Sequence, residues 1–291
     1  MPDKRPELPF SLLLPVYAGD RADFLRRAFV SSVNEQTLRP DDVVVVQDGP
    51  LPAALNQLCD ELAATSPVPV NLVRLERNVG LGPALDHGLE ACAHDVVARM
   101  DADNVSRPQR FEMQLPLIAD GADIVGSALM EFVDDVDEVV QVRVPPLNAD
   151  WIRSAVRFRD PFNHPTVVYR RSMVQKVGGY QDLPLMEDYL LFARMLAEGA
   201  VPANVAEPLV YYRIGAGAYA RRGGTALLRS EWALQRRFLE LGITNRVEFA
   251  RNIVVRGGYR LVPEPMRRVA YRRLIARRGI QGTHSNPGSN H

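Results

Sequence analysis

Along the first hundred residues, short apolar runs alternate with stretches whose apolar positions repeat at helical spacing. Phe10 to Val16 (FSLLLPV) predicts a strand buried on both faces. Asp23 to Gln36 carries Phe24, Leu25, Ala28, Phe29 and Val33 at the spacing of one helix face. Asp42 to Val46 predicts a second strand, Ala53 to Ala64 a helix, and Val70 to Leu75 a third strand. Asn78 to Gly82 (NVGLG) is a glycine-rich turn opening a helix to about Cys92, and Asp95 to Met100 is the fourth strand. This alternation predicts an α/β fold with a mostly parallel central sheet and helices on both faces. Ligands of such sheets bind beyond the carboxyl ends of the strands. The polar punctuation falls there: Tyr17 and Asp20, Asp48, Asn78 with its glycines, then Asp101 and Asp103.

Farther on, Asp123 to Phe132 predicts a strand, with VDDVDEVV as an edge hairpin after it, and Pro145-Pro146 marks the passage into the next part. Glu187-Asp188 opens a helix containing Leu190, Leu191, Phe192, Met195 and Leu196, and Tyr211, Tyr212 and Arg213 end another strand. Glu231 to Leu241 and Val262 to Arg278 read as helices, and residues 282–291 as a disordered tail.

The chain has 291 residues, of which 46% are hydrophobic and 24% charged, fitting a soluble globular protein. Its zero formal net charge hides an asymmetry, since from Arg213 onward there are sixteen arginines and four glutamates. In the last helix an apolar stripe (Met266, Val269, Ala270, Leu274, Ile275) is flanked by arginines. Such a helix fits an anionic membrane surface, and equally a helix packed on its own domain with its arginines in water. No helix-turn-helix or aromatic platform supports nucleic acid as a partner. Cys59 and Cys92 fall in helical segments without metal spacing and read as reduced core thiols. MPDKRPELPF contains no signal-like apolar run, and no stretch approaches the ~20 apolar residues of a spanning helix, which points to a cytoplasmic chain.

The fourth strand runs into Arg99-Met100-Asp101-Ala102-Asp103. Two carboxylates after a buried strand call for a cation. If the segment stays extended, Asp101 and Asp103 face one site and suit Mg²⁺ or Mn²⁺, which leave positions for diphosphate oxygens. The plain alternative is a turn in which Asp103 or Ser106 caps a helix from Arg107. NVGLG lacks a preceding G-x-G-x-x-G, which disfavours a dinucleotide-binding dehydrogenase, and a Walker A loop is absent. Gly80 and Gly82 serve either a tight turn with close helix packing or direct ligand contact. Glu187 and Asp188 either favour a helix's first turn through the dipole or supply a general base.

The ordered set PVY, DG, N-x-G-x-G and RMDAD, followed by FNHPTVVYRRS, GGY, LMEDYLLFARML and PLVYYR, resembles the inverting family 2 glycosyltransferases of GT-A fold. It is most similar to the bacterial enzymes building exopolysaccharide, capsule or lipopolysaccharide, and the likeness spans about Leu12 to Arg213. The resemblance implies a GT-A catalytic domain over residues 1–213, with a nucleotide-sugar-binding half (about 10–104) and an acceptor half (105–213). A basic helical extension (214–281) would follow. It implies a nucleotide diphosphate sugar donor, UDP by default, a glycan or lipid-linked acceptor, and a Mg²⁺ or Mn²⁺ cofactor. Pro15, Val16 and Tyr17 would line the base pocket, with Asp48 accepting from base or ribose; Asn78, Gly80, Gly82 and Arg99 would complete the donor site. Asp101 would lie near the sugar or ribose, and Asp103 would hold the metal. His164 would touch phosphate or acceptor, or join Asp101 and Asp103 as a metal ligand. Asp188 would be the general base, with Glu187 orienting the acceptor. Arg213, and Arg221 or Arg222 in the glycine-rich stretch after it, would reach the diphosphate. Gln47, Asn104 and Pro50 depart from residues common in the family. A nucleotidyltransferase and an inactive transferase-fold scaffold are the rival readings.

Overall fold

The computed structural model describes residues 8–214 and 225–258. Its amino-terminal half alternates as expected: β1 (Phe10–Tyr17), α1 (Ala22–Val33), β2 (Asp42–Asp48), α2 (Ala53–Thr65), β3 (Val70–Arg74), α3 (Leu81–Ala91) and β4 (Val96–Arg99). The four strands are parallel, β1 lying between β2 and β4 and β3 outside β2. Val43 to Val46 are all buried, as a β-branched run covered on both faces requires. Successive side chains supply opposite cores. Leu13, Val44, Val46 and Val97 pack beneath α3 and a later helix, whereas Leu12, Leu14, Val43 and Val45 pack beneath α1 and α2.

The second half adds β5 (Val105–Ser106), α4 (Arg110–Ala119), β6 (Ile124–Phe132), β7 (Val139–Arg143), α5 (Ala149–Ala155), β8 (Val168–Arg170), α6 (Arg171–Lys176), α7 (Glu187–Ala197) and β9 (Pro202–Arg213). One sheet runs in the order β3-β2-β1-β4-β8-β6-β9-β5, with β7 paired to β6 as the expected hairpin. β8 is antiparallel to both β4 and β6, whereas β6 and β9 are parallel. The β6–β9 register is irregular: Ser127 pairs with Val205, Ala128 with Pro208 and Leu129 with Val210, so β9 carries extra residues there.

Every residue of α7 from Tyr189 to Leu196 is buried, as befits a helix covered on all sides. Phe192 meets Phe162 edge-on at 5.2 Å, and Tyr189 meets Phe238 at 5.2 Å. Phe238 belongs to α8 (Thr225–Glu240), which begins earlier than its apolar pattern indicated and shares a core with α7. α9 (Arg246–Asn252) follows, capped by Asn245 and Glu248 in a reciprocal capping box. The basic segment Val262 to Arg278 and the tail 282–291 lie outside the described residues. Among the described residues no helix is long and apolar enough to cross a membrane, and Cys59 and Cys92 are buried free thiols.

Two local expectations are corrected. The strand carrying the aspartates ends at Arg99, and Ala102-Asp103 form a turn, so the acids are brought together by chain reversal. The next helix starts at Arg110, with Ser106 in β5, so neither Asp103 nor Ser106 caps a helix from Arg107.

Helix α3 approaches the sheet at Gly88, where an added Cβ would lie 2.4 Å from Leu13 Cδ1 and 2.5 Å from Val46 Cγ2. Gly88→Val will destabilise the protein by about 1–3 kcal/mol through overpacking. A lower urea midpoint at unchanged m-value is the expected reading.

Candidate active site

The carboxyl ends of β1, β2 and β4 border a cavity of about 410 Å³. Pro15, Val16, Tyr17, Asp48, Asn78, Gly80, Asp101, Asp103 and Arg213 all line it, as does Asp20. Asp48 ties two of the sequence motifs together: its Oδ1 accepts from Val79 N at 2.7 Å and its Oδ2 from Gly80 N at 3.1 Å. Gly49 permits this closeness, having φ +83° and a position where a Cβ would fall 2.5 Å from Asn78 N. Asp48 therefore shapes the glycine turn while facing the cavity.

Gly82 does not line the cavity. A Cβ there would sit 3.3 Å from Glu187 Cβ, so this glycine admits the start of α7 against α3. Arg99, expected among the donor contacts, is 1% exposed and lies beneath the cavity, ion-paired with Asp101. Asn104, also fully buried, donates to Asp101 Oδ2 at 3.1 Å and accepts from Arg213 N at 2.9 Å. Asp101 is thus fixed from two sides. The Arg213 side chain donates to the Asp103 carbonyl at 3.2 Å and the Val133 carbonyl at 3.0 Å, between the rings of Phe24 and Phe132. Its guanidinium borders the cavity while partly held by the backbone. Arg221 and Arg222 lie outside the described residues.

Burial, and then the charges of Asp101 and Asp20, push the Asp103 carboxyl up to about 7. Burial raises Asp20 to about 6 against the hydrogen bond it accepts from Tyr17 N at 2.9 Å. Carboxylates crowded in this way invite a cation, and their hard oxygens suit a divalent ion of the Mg²⁺ or Mn²⁺ kind.

A second cavity, about 820 Å³, shares Tyr212 with the first and is bordered by Arg143, Arg159, Asp160, His164 and Asp188. Asp188 Oδ1 accepts from Tyr189 N at 2.7 Å, and Oδ2 lies 3.4 Å from His164 Nδ1. Burial raises the Asp188 carboxyl, with Asp101 also raising it and Arg99 opposing. Glu187 is pushed up to about 7 by burial and the charge of Asp188. Asp160 is raised well above the ordinary value by burial and by Asp188.

His164, expected to touch phosphate or acceptor or to join Asp101 and Asp103 at a metal, lies beside Asp188. Its Nε2 lies 3.0 Å from the Tyr180 hydroxyl, and its Nδ1 faces Asp188. It borders the second cavity and not the first. Among the described residues no three His, Cys, Asp or Glu side chains are grouped to hold a metal. An ion at Asp101 and Asp103 would draw its other ligands from water and substrate.

Sequence reasoning placed Asp20 at the ligand-binding edge without giving it a role, and left Arg110, Asp160, Tyr180 and Tyr212 out of the site. Tyr212 stood at a strand end in the predicted topology, and Asp160 opens the DPFNHP run. Arg110 gave no such signal. It is fully buried and donates to the Arg99 carbonyl at 2.6 Å and to Ser106 Oγ at 3.1 Å.

A parallel β/α half with acids collected at its carboxyl edge, joined to a second half bearing an acid at a helix start, is the architecture of a GT-A sugar transferase. The family model Glycosyl transferase family 2 matches residues 11–178, and the chain belongs to that family. The amylovoran biosynthesis glycosyltransferase AmsE of Erwinia amylovora is 35% identical over 264 residues, covering 90% of this chain and 97% of that protein. The UDP-Gal:alpha-D-GlcNAc-diphosphoundecaprenol beta-1,3-galactosyltransferase of Escherichia coli is 34% identical over 280 residues, covering 95% and 99%. Among solved structures, S. aureus TarS 1-349 in complex with UDP-GlcNAc has a like fold, with TM-score 0.65 and 14% identity over 85% of this chain and 73% of that one. Family membership sets aside the nucleotidyltransferase reading.

The raised carboxyls set a sign for stability against pH. Asp20, Asp103 and Glu187 bind protons more tightly folded than unfolded. Their stabilising contribution is full below the ordinary carboxylate pKa of about 4 and is lost as pH rises through 6 to 7. Without divalent cations, the calorimetric Tm will fall between about pH 4 and 7, and Asp103→Asn will flatten that slope.

Proposed function

We propose that this glycosyltransferase moves a sugar from a nucleotide diphosphate sugar, with UDP as the nucleotide, to a hydroxyl of a glycan or lipid-linked acceptor, inverting the anomeric carbon. The observation that carries the reading is the meeting of the two cavities at Tyr212. One side collects Asp20, Asp101 and Asp103, and the other presents Asp188. Two relatives support the substrate classes: the E. coli protein is a UDP-Gal transferase acting on a diphosphoundecaprenol-linked GlcNAc, and the Erwinia protein is an amylovoran biosynthesis glycosyltransferase.

In this reading the first cavity takes the donor. Pro15, Val16 and Tyr17 border the base, Asp48 holds the turn beside it, and Asp101 and Asp103 are the residues that would hold Mg²⁺ or Mn²⁺. Such an ion, when bound, supplies positive charge to the departing diphosphate. Arg213 borders the same space and adds a fixed cation. The second cavity takes the acceptor. Asp188 removes the hydroxyl proton as the acceptor oxygen bonds to the anomeric carbon, and the bond to the diphosphate breaks with its electron pair leaving on oxygen. One displacement gives one inversion. Glu187, at the junction of α3 and α7, orients the acceptor. An undecaprenol-linked acceptor would place the reaction at the cytoplasmic membrane face.

Asp188→Asn will lower turnover by about 10²–10⁴-fold while leaving donor affinity nearly intact. Near-wild-type turnover by that variant removes Asp188 as the base. Asp103→Ala will lose the Mn²⁺-dependent part of UDP binding in titration calorimetry, and an unchanged affinity rejects it as a ligand.

A further inference from the structure

His164 begins a single 3-10 turn (His164–Thr166) on the wall between the second cavity and the core. Its buried ring stands edge-on to Phe192, with centroids 5.7 Å apart, and is tilted against Tyr180. From Asp188 Oδ2 a line of polar atoms runs inward: His164 Nδ1 at 3.4 Å, then Nε2 to the Tyr180 hydroxyl at 3.0 Å, then the Tyr169 hydroxyl 3.3 Å beyond. Tyr169 and Tyr180 are both buried.

The first step is an ion-pair contact and the next two are hydrogen bonds, and their polarity follows from the charge of the imidazole. Burial and the neighbouring Arg99 hold His164 well below its ordinary pKa, so the ring is neutral and carries one N–H. With the proton on Nε2, the Nδ1 lone pair would face the Asp188 carboxylate. With the proton on Nδ1, the N–H end of the ring turns its positive charge toward Asp188, Tyr180 donates to Nε2, and Tyr169 donates to Tyr180. Only the second arrangement sets the positive end of the ring, and not a lone pair, beside an ionised Asp188 while giving both buried hydroxyls an acceptor. A protonated Asp188 suits the opposite tautomer, so whatever fixes the tautomer also biases the carboxyl.

We propose that Tyr180 and Tyr169 are positioning residues for sugar transfer: through His164 they fix the imidazole tautomer whose N–H faces Asp188, keeping that carboxylate ionised beside the acceptor cavity. The inference rests on Asp188 being the base. No proton travels along the line, and each hydroxyl keeps its own. Other charged groups face Asp188 as well: Glu187 beside it on α7, Asp160 and Arg143 across the cavity, and Arg99 with Asp101 from the end of β4. None of these contacts the far nitrogen of His164, which is why the tyrosines are separable from them.

Tyr180→Phe removes one oxygen and keeps the ring. The acid limb of its kcat–pH profile will move up by about one pH unit, as the ring is freed to take the tautomer that sets a lone pair beside Asp188. Turnover on the acid side of that limb will fall about tenfold and recover on the alkaline plateau, with KM and donor affinity unchanged. Tyr169→Phe, one link farther, will shift the limb the same way by less, and serves if Tyr180→Phe does not fold. In a His164→Asn background, which cuts the link, Tyr180→Phe will add no shift. An unmoved acid limb in both tyrosine variants overturns the inference, as does a loss equal at every pH or the same shift in the His164→Asn background. Wild-type turnover by Asp188→Asn would instead remove the base itself, a separate failure.

Discussion

A buried guanidinium joined to a half-exposed carboxylate, Arg99 with Asp101, governs the layout of this molecule. A charge 1% exposed at the end of a core strand is tolerable only beside opposite charge. Burial alone would weaken its hold on a proton, yet Asp101 and nearby groups keep the Arg99 guanidinium more strongly charged than usual. Its field reaches both halves of the site, lowering Asp103 on one side and Glu187 and Asp188 on the other. Arg110 fixes the strand end by donating to the Arg99 carbonyl. The cost of holding it there is visible in its own pKa, pushed down to about 9 by burial and then by Arg99. Two neighbouring cations beneath the cleft let several acids approach one another above it.

Much of this was legible in the chain. Strands read from apolar runs, and helices from their periodicity, fell within a few residues of their observed limits through β4, because each is decided by local pattern and two-sided burial. The polar residues at strand ends did converge, since a parallel sheet gathers its carboxyl ends on one edge.

What stayed hidden depends on contacts between residues distant in sequence. Arg110 sits in RPQRFEM, which reads as an exposed helix start, and only the fold shows it beneath Arg99. Gly82 looked equally suited to a ligand or to packing until α7 was seen against it. His164 resembled a ligand because the residue that occupies its Nε2, Tyr180, comes sixteen positions later. The aspartate pair was expected to be extended, but the chain turns at Ala102-Asp103, and the Arg99 ion pair and Asn104 hold Asp101 ahead of that turn.

Strand β9 ends on Tyr212 and Arg213, the first forming the partition between the two cavities and the second bordering only one. Neighbouring side chains of a strand point to opposite sides, so each position depends on how many residues precede it. The irregular pairing from Ser127 to Leu129 absorbs additional chain in β9 before regular pairing resumes from Leu129 with Val210. That kink acts as a phase-setter: the length of the loop-out at residues 206–207 decides which side chain becomes the dividing wall. Insertions or deletions there would renumber the chemistry of the cleft without touching the acids that face it.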